Sequence, residues 1–217
     1  MTDRRPHLLL VRHAEAEHYS AACSDPGLTA RGRRQSQLLA DWLGKNTPDI
    51  LFSSTLRRAA DTARAVAERT GLPVGWDARL REVGTCRPDG RPLEGAGLGG
   101  VGLPPRERPL ESVFPGAESW VEFRVRVGLA MDRVLAATAA AGGRAAVVCH
   151  GGVLDALLDN IVDADVCSPV EVAWANTAVT HLEHRPRETG SPWVLHSHNT
   201  RPHLKDEQLD AWTEAAR

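Results

Sequence analysis

The sequence predicts a single α/β domain of 217 residues, a three-layer α/β/α sandwich around a mostly parallel central sheet. Two observations carry this. Short apolar runs of strand type alternate with segments whose apolar residues recur every three or four positions. Three of those runs, at residues 8–11, 49–52 and 145–149, end on polar residues and lead directly into a loop or a helix, as in the βα units of a parallel sheet. No internal repeat, heptad pattern or low-complexity tract competes with this reading.

The first strand is the apolar run from Leu8 to Val11, which ends on Arg12 and His13. A polar loop follows, and residues 28–44 then form an amphipathic helix. Thr29 is its expected N-cap, Leu38, Leu39, Trp42 and Leu43 make its apolar face, and Gly44 ends it. Residues 49–52 are the second strand, stopped by Ser53 and Ser54. Behind them Leu56, Ala59, Ala63, Val66 and Ala67 line one face of a second helix closed by Gly71. Residues 73–76 suit a short edge strand. From 86 to 116 the chain is rich in Gly and Pro without apolar periodicity, either an insertion that covers the site or a surface loop. The longest helix runs over 118–141 with Trp120, Phe123, Val127, Met131, Val134 and Leu135 at helical spacing. Residues 145–149 form the most strand-like run, His150 stands at its end, Gly151 and Gly152 allow a tight turn, and a helix begins near Val153. Strands are expected at 170–174, 178–183 and 193–198, with Asn176 and Thr177 as a turn. The polar tail from 202 has an amphipathic hint at 209–215.

The composition is ordinary for a soluble enzyme, 42% hydrophobic and 25% charged with a formal net charge of -2. That balance argues against a general nucleic-acid binder, which needs a strongly basic face. No run approaches the roughly 20 apolar residues needed to cross a bilayer, and the stretch behind the basic start is too short for a signal-peptide core, so a cytoplasmic location is expected. The four cysteines, Cys23, Cys86, Cys149 and Cys167, lack CxxC pairing and read as reduced thiols.

The chemistry gathers at the strand ends. Ligands of open α/β sheets bind at the carboxyl ends of the strands. Arg12 with His13, Arg58 with Arg57 beside it, and His150 all fall there. Guanidinium groups match phosphate oxygens bidentately, and a neutral imidazole is a nucleophile. Two cations in the first turn of a helix are disfavoured by its dipole, so an anion is expected to compensate.

This set resembles the histidine phosphatase superfamily, the phosphoglycerate mutase-like family. RHA at 12–14 stands where its RHG motif would be. LTARGRRQ at 28–35, SSTLRRAADTA at 53–63, LRE at 80–82, PGAES at 115–119, VVCHGGV at 147–153 and NTAVTHLE at 176–183 resemble further family motifs in the family's order. The resemblance implies a phosphoglycerate mutase-like fold over one domain, and a metal-independent phosphomonoester hydrolase acting on a small phosphorylated metabolite. It makes His13 the nucleophile that becomes phosphohistidine, Arg12 and Arg58 the phosphate-holding groups with the Gly151 N–H as another, His150 a further donor, and Glu82 the proton donor and acceptor. After Glu82 the sequence reads VGTCRPDG and departs from many members, which leaves Asp89, Glu94 and Glu118 as alternative acids.

No cofactor, metal, nucleic acid or membrane partner is called for, and a homodimer is compatible with the sequence. Phosphoglycerate mutase-type transfer is the alternative within the family, though residues 14–20 lack a mutase-like continuation. A non-catalytic phosphate-binding module is another. A metalloenzyme using His181, His184, His196 and His198 is disfavoured: only His196 and His198 would share a strand face, and surface histidines are expected there. Arg87, Arg91, Arg106 and Arg108 hint at a multiply anionic substrate.

Overall fold

The computed structural model describes residues 5–18, 25–93, 108–168, 170, 172–185 and 192–204. Six strands form one mixed sheet in the order β3-β2-β4-β1-β5-β6. These are β1 (His7–Arg12), β2 (Ile50–Ser53), β3 (Val74–Trp76), β4 (Arg144–Cys149), β5 (Val179–His184) and β6 (Trp193–Thr200). The first four run parallel, while β5 is antiparallel to both β1 and β6. Between them lie α1 (Ala30–Lys45), α2 (Arg57–Thr70), α3 (Trp120–Ala141) and α4 (Gly151–Ile161).

Alternation along β1 divides the core. Leu8 and Leu10 face Phe123, Val127 and Val134 of α3 and Leu154 of α4, whereas Leu9 and Val11 face Leu39 and Leu43 of α1 and Ala63 and Val66 of α2. Both sides of β1 and β4 are thus covered, and their continuous apolar sequence follows from that.

Helix starts fix the loops that surround the strand ends. The Thr29 side chain accepts the Gly32 N–H at 2.9 Å and donates to Glu15 at 2.7 Å, which ties α1 to the loop after β1. A Cβ on Gly32 would sit 1.9 Å from the Glu15 carbonyl oxygen, so only glycine allows this approach. At α2 the expected compensating anion is supplied by the chain itself. Both carboxylate oxygens of Asp25 accept the Arg57 N–H, at 2.9 and 3.0 Å. Ser119 and Glu122 form a capping box at the start of α3.

Three expectations are corrected. Described residues between 170 and 174 form no strand, because backbone groups here pair with side chains instead of a ladder. The Trp174 carbonyl accepts from Arg12, and the Ala175 N–H donates to Asn199 at 2.8 Å. Helix α4 begins at Gly151, not near Val153, and neither Gly151 nor Gly152 has a left-handed backbone. His196 and His198 do not share surroundings: irregularities in the β5–β6 register break the alternation, so His196 stacks on His181 while His198 packs edge-on against Trp174. His184 packs on Trp193. Residues 94–107 and the tail from 205, with the covering segment's centre and the hint at 209–215, lie outside the described residues. No disulfide joins Cys86, Cys149 and Cys167 among the described residues, and no helix there is long and apolar enough to cross a membrane.

Glu118, an alternative acid by sequence, is 1% exposed and locked to Arg126, whose Nε donates to it at 2.7 Å. Arg126 also donates to the carbonyls of Arg79 at 2.6 Å and Arg81 at 3.0 Å, and reaches that of Glu82 at 3.5 Å. The pair therefore clamps the segment that carries Glu82. Removing one partner of a buried ion pair strands the other charge. Arg126→Met should cost about 3–5 kcal/mol, lowering the calorimetric midpoint by about 10 °C, and adding Glu118→Gln should restore part of that loss.

Candidate active site

The ends of β2, β4 and β1, neighbours in the sheet, bring Arg58, His150, Arg12 and His13 together. His13 is buried, and its Nδ1 lies 2.7 Å from the Ala14 carbonyl oxygen. A carbonyl only accepts, so Nδ1 carries the proton and Nε2 keeps its lone pair. Arg58 Nε donates to that same Nε2 at 3.0 Å, which independently requires the same tautomer. The backbone around the ring is pinned by the Ala14 N–H to Thr62 Oγ1 at 3.0 Å, by Asn176 Nδ2 to the His13 carbonyl at 2.9 Å, and by the Thr177 N–H to the Arg12 carbonyl at 3.0 Å. Alanine in place of the motif glycine at 14 thus leaves the carbonyl that fixes the tautomer intact.

His150 is fully buried at the N-cap of α4, its ring centroid 5.1 Å from that of His13. Its Nε2 lies 2.8 Å from Ser54 Oγ, while Nδ1 is buried without a hydrogen-bond partner among the described residues. Burial, and then the charges of Arg58 and Arg12, hold the pKa of His13 well below 6.5, and His150 is lowered by burial first and Arg58 next. Both rings are neutral at pH 7. The first turn of α4, entered through His150 with no side-chain cap, presents backbone N–H groups at Gly151, where an anion is favoured by the helix dipole.

Arg58 is 3% exposed, and Asp25 lies 3.9 Å from its Nη1. Arg57 is a surface neighbour turned to Asp61, 3.8 Å away. Glu82 accepts the Val83 N–H at 2.9 Å through Oε1 and the Gly152 N–H at 3.3 Å through Oε2, so its carboxylate is docked on the start of α4. Glycine at 152 serves this contact: a Cβ there would stand 2.4 Å from Glu82 Oε1. Of the other acids, Asp89 is a turn residue accepting the Arg91 N–H at 3.0 Å, and Glu94 lies outside the described residues. Arg91 and Arg108 pair with Asp89 and Glu111, and Arg106 lies outside the described residues.

The sequence profile of the histidine phosphatase superfamily (branch 1) matches residues 8–200. The chain belongs to this superfamily. A probable phosphoglycerate mutase, GpmB of Yersinia enterocolitica, is 28% identical across 94% of this chain and 97% of its own. Among solved structures, one titled mycobacterial hydrolase 2 aligns with a TM-score of 0.71 at 28% identity over 99% of both chains. A mycobacterial glucosyl-3-phosphoglycerate phosphatase aligns with a TM-score of 0.66 at 28% identity, over 91% of this chain and 100% of that one. By their names these relatives are a mutase, a hydrolase and a phosphatase.

The sequence did not point to Asp155 or Trp174. Trp174 Nε1 donates to Asp155 Oδ1 at 2.6 Å while the Trp174 carbonyl accepts from Arg12, so one residue links the arginine to an acid one turn into α4. Burial, with Glu82 and Asp159 adding to it, pushes the Asp155 carboxyl up to about 6. An Asp four residues after Gly151 was the available signal, since that spacing returns a side chain to the same helix face.

Two outcomes are expected. Gly152→Ala should leave the melting temperature within about 2 °C, because a side-chain end can move aside, yet displace Glu82, visible in a crystal structure of the variant. Since His13 and His150 bind protons less readily in the fold than in the unfolded chain, stability should fall as pH drops below about 6.5, read from denaturant midpoints. Asp155, with its raised pKa, opposes this trend, and His150→Gln should flatten it.

Proposed function

We propose that this protein is a metal-independent phosphomonoester hydrolase that works through a phosphohistidine at His13 on a small phosphorylated metabolite. The observation that supports it most is the fixed tautomer of His13, with Nδ1 bound to the Ala14 carbonyl and a lone pair on Nε2 beside Arg58.

In this reading Arg12, Arg58, His150 and the Gly151 N–H hold the phosphoryl oxygens, and guanidinium charge balances what develops on them. His13 Nε2 attacks phosphorus, the ester P–O bond breaks, and Glu82, carrying a proton in the substrate complex, gives it to the departing alkoxide. The Glu82 carboxylate then takes a proton from water as the water oxygen attacks phosphorus and the P–N bond breaks. Orthophosphate leaves, and both residues return to their starting states. Displacing Arg58 Nε from His13 Nε2 frees the lone pair, and the phosphate becomes the arginine's new acceptor. Phosphoglycerate mutase-type transfer is the second reading, favoured by the name of the Yersinia relative.

His13→Ala should abolish hydrolysis of p-nitrophenyl phosphate and the acid-labile label left by radioactive substrate. Unchanged labelling would overturn the assignment. Glu82→Gln should slow an alkyl phosphate by about 10²–10⁴-fold and p-nitrophenyl phosphate less, because p-nitrophenolate needs little protonation to leave. The acid limb that His13 imposes on kcat/KM should lie well below pH 6.5, since its pKa is lowered and the neutral ring attacks. Rapid interconversion of 2- and 3-phosphoglycerate with little release of orthophosphate would favour the mutase.

A further inference from the structure

Toward the N-terminal end of β1, about 20 Å along the chain's extended path from His13, three imidazoles gather that the phosphoryl chemistry does not use. His7 opens β1, and His181 on β5 pairs with Leu9, so both lie on one sheet face. His7 Nδ1 stands 3.0 Å from His181 Nε2. The rings of His181 and His196 stack with centroids 4.6 Å apart and 27° between their planes. One nitrogen of each residue lies within 4.8 Å of the other two.

We propose that His7, His181 and His196 form a binding site for a divalent transition-metal ion of the Zn²⁺, Ni²⁺ or Cu²⁺ class, with solvent completing the coordination. Tetrahedral Zn–N bonds of about 2.0–2.1 Å set two ligand nitrogens about 3.3 Å apart, and the His7–His181 pair already stands close to that. His196, with its side chain 38% exposed, has room to turn in and leaves the ion open to solvent. Its Nε2 lies 2.9 Å from a Glu183 oxygen, and an N–H donated there leaves the lone pair on Nδ1. A carboxylate that orients an imidazole in this way is the usual support behind a histidine ligand.

The charges nearby set the class of ion. Glu183 also accepts from Arg185 at 2.9 and 3.0 Å and from Arg5 at 3.4 Å, and Arg144 adds positive potential at His181. Glu183, the carboxylate that touches His196, is already taken by arginines and makes a poor ligand for a hard cation such as Mg²⁺ or Ca²⁺, whereas imidazole nitrogen suits the zinc-to-copper group. A bound ion would join β1, β5 and β6 on the side of the sheet that ends in β6.

Untagged full-length protein stripped with chelator and titrated with ZnCl₂ provides the test, by calorimetry and by thermal melting. The expected result is one ion per chain, and a melting temperature raised by about 5 °C or more at ~100-fold excess over Kd. Binding should be weakened at least tenfold in His181→Ala and in His196→Ala, and by about 10- to 100-fold in Glu183→Gln. His196→Ala removes an exposed ring and keeps the fold, so its loss of binding reports the site and not unfolding. Substituting Cu²⁺ should give an electron paramagnetic resonance spectrum with nitrogen hyperfine structure that His196→Ala simplifies. Unchanged affinity in the His181→Ala/His196→Ala variant, loss of binding only in His13→Ala, or no uptake by the wild type at micromolar zinc would each overturn the proposal.

Discussion

A hydrogen bond of 2.7 Å from the His13 ring to the carbonyl of the next residue decides which nitrogen can do chemistry, and much of the structure exists to keep it in place. The bond is local, but its geometry is not. Thr62 on α2 and Asn176 before β5 hold the peptide between residues 13 and 14, and the Thr177 N–H holds the one before it. Those partners are set by the strands beneath, where β1 pairs in parallel with β4 on one side and antiparallel with β5 on the other. Burial keeps the ring uncharged despite its hydrogen bonds, and two guanidinium groups beside it reinforce that.

The same pocket concentrates positive charge where water is scarce, and the fold balances it in graded steps. Asp25 lies outside Arg58, Trp174 passes Arg12 on to Asp155, and Glu82 is docked on the α4 N-terminus. Where the fold does use a buried ion pair, Arg126 with Glu118, it holds backbone carbonyls beside Glu82 and takes no further part.

Reading the sequence recovered the strand ends because apolar runs that stop on Arg–His, Ser–Ser and Cys–His are local signals. The four parallel strands, all four long helices and the meeting of Arg12, His13, Arg58 and His150 followed from them. Glu82 was legible from its three-residue motif, but its support was not: Gly152 matters for the space its missing Cβ leaves, and that shows only when residue 82 is packed against it. The error at 170–174 has a similar cause. Val170, Val172 and Trp174 have strand propensity, yet tertiary partners for the backbone, Arg12 and Asn199, override it. The shared face expected for His196 and His198 does not form because a register irregularity in β5–β6 is invisible to simple alternation.

Sheet order carries one more consequence. The residues proposed to grip phosphate rise from β2, β4 and β1, three adjacent strands, so the floor of the pocket is two interstrand gaps wide, about 10 Å. That width accommodates one tetrahedral anion and little else. In the proposed reaction, the alcohol that the phosphate is attached to projects beyond the strand ends, toward the surrounding loops. Appetite for a new ester can therefore be acquired by redrawing those loops, with the anion-binding floor left as it is.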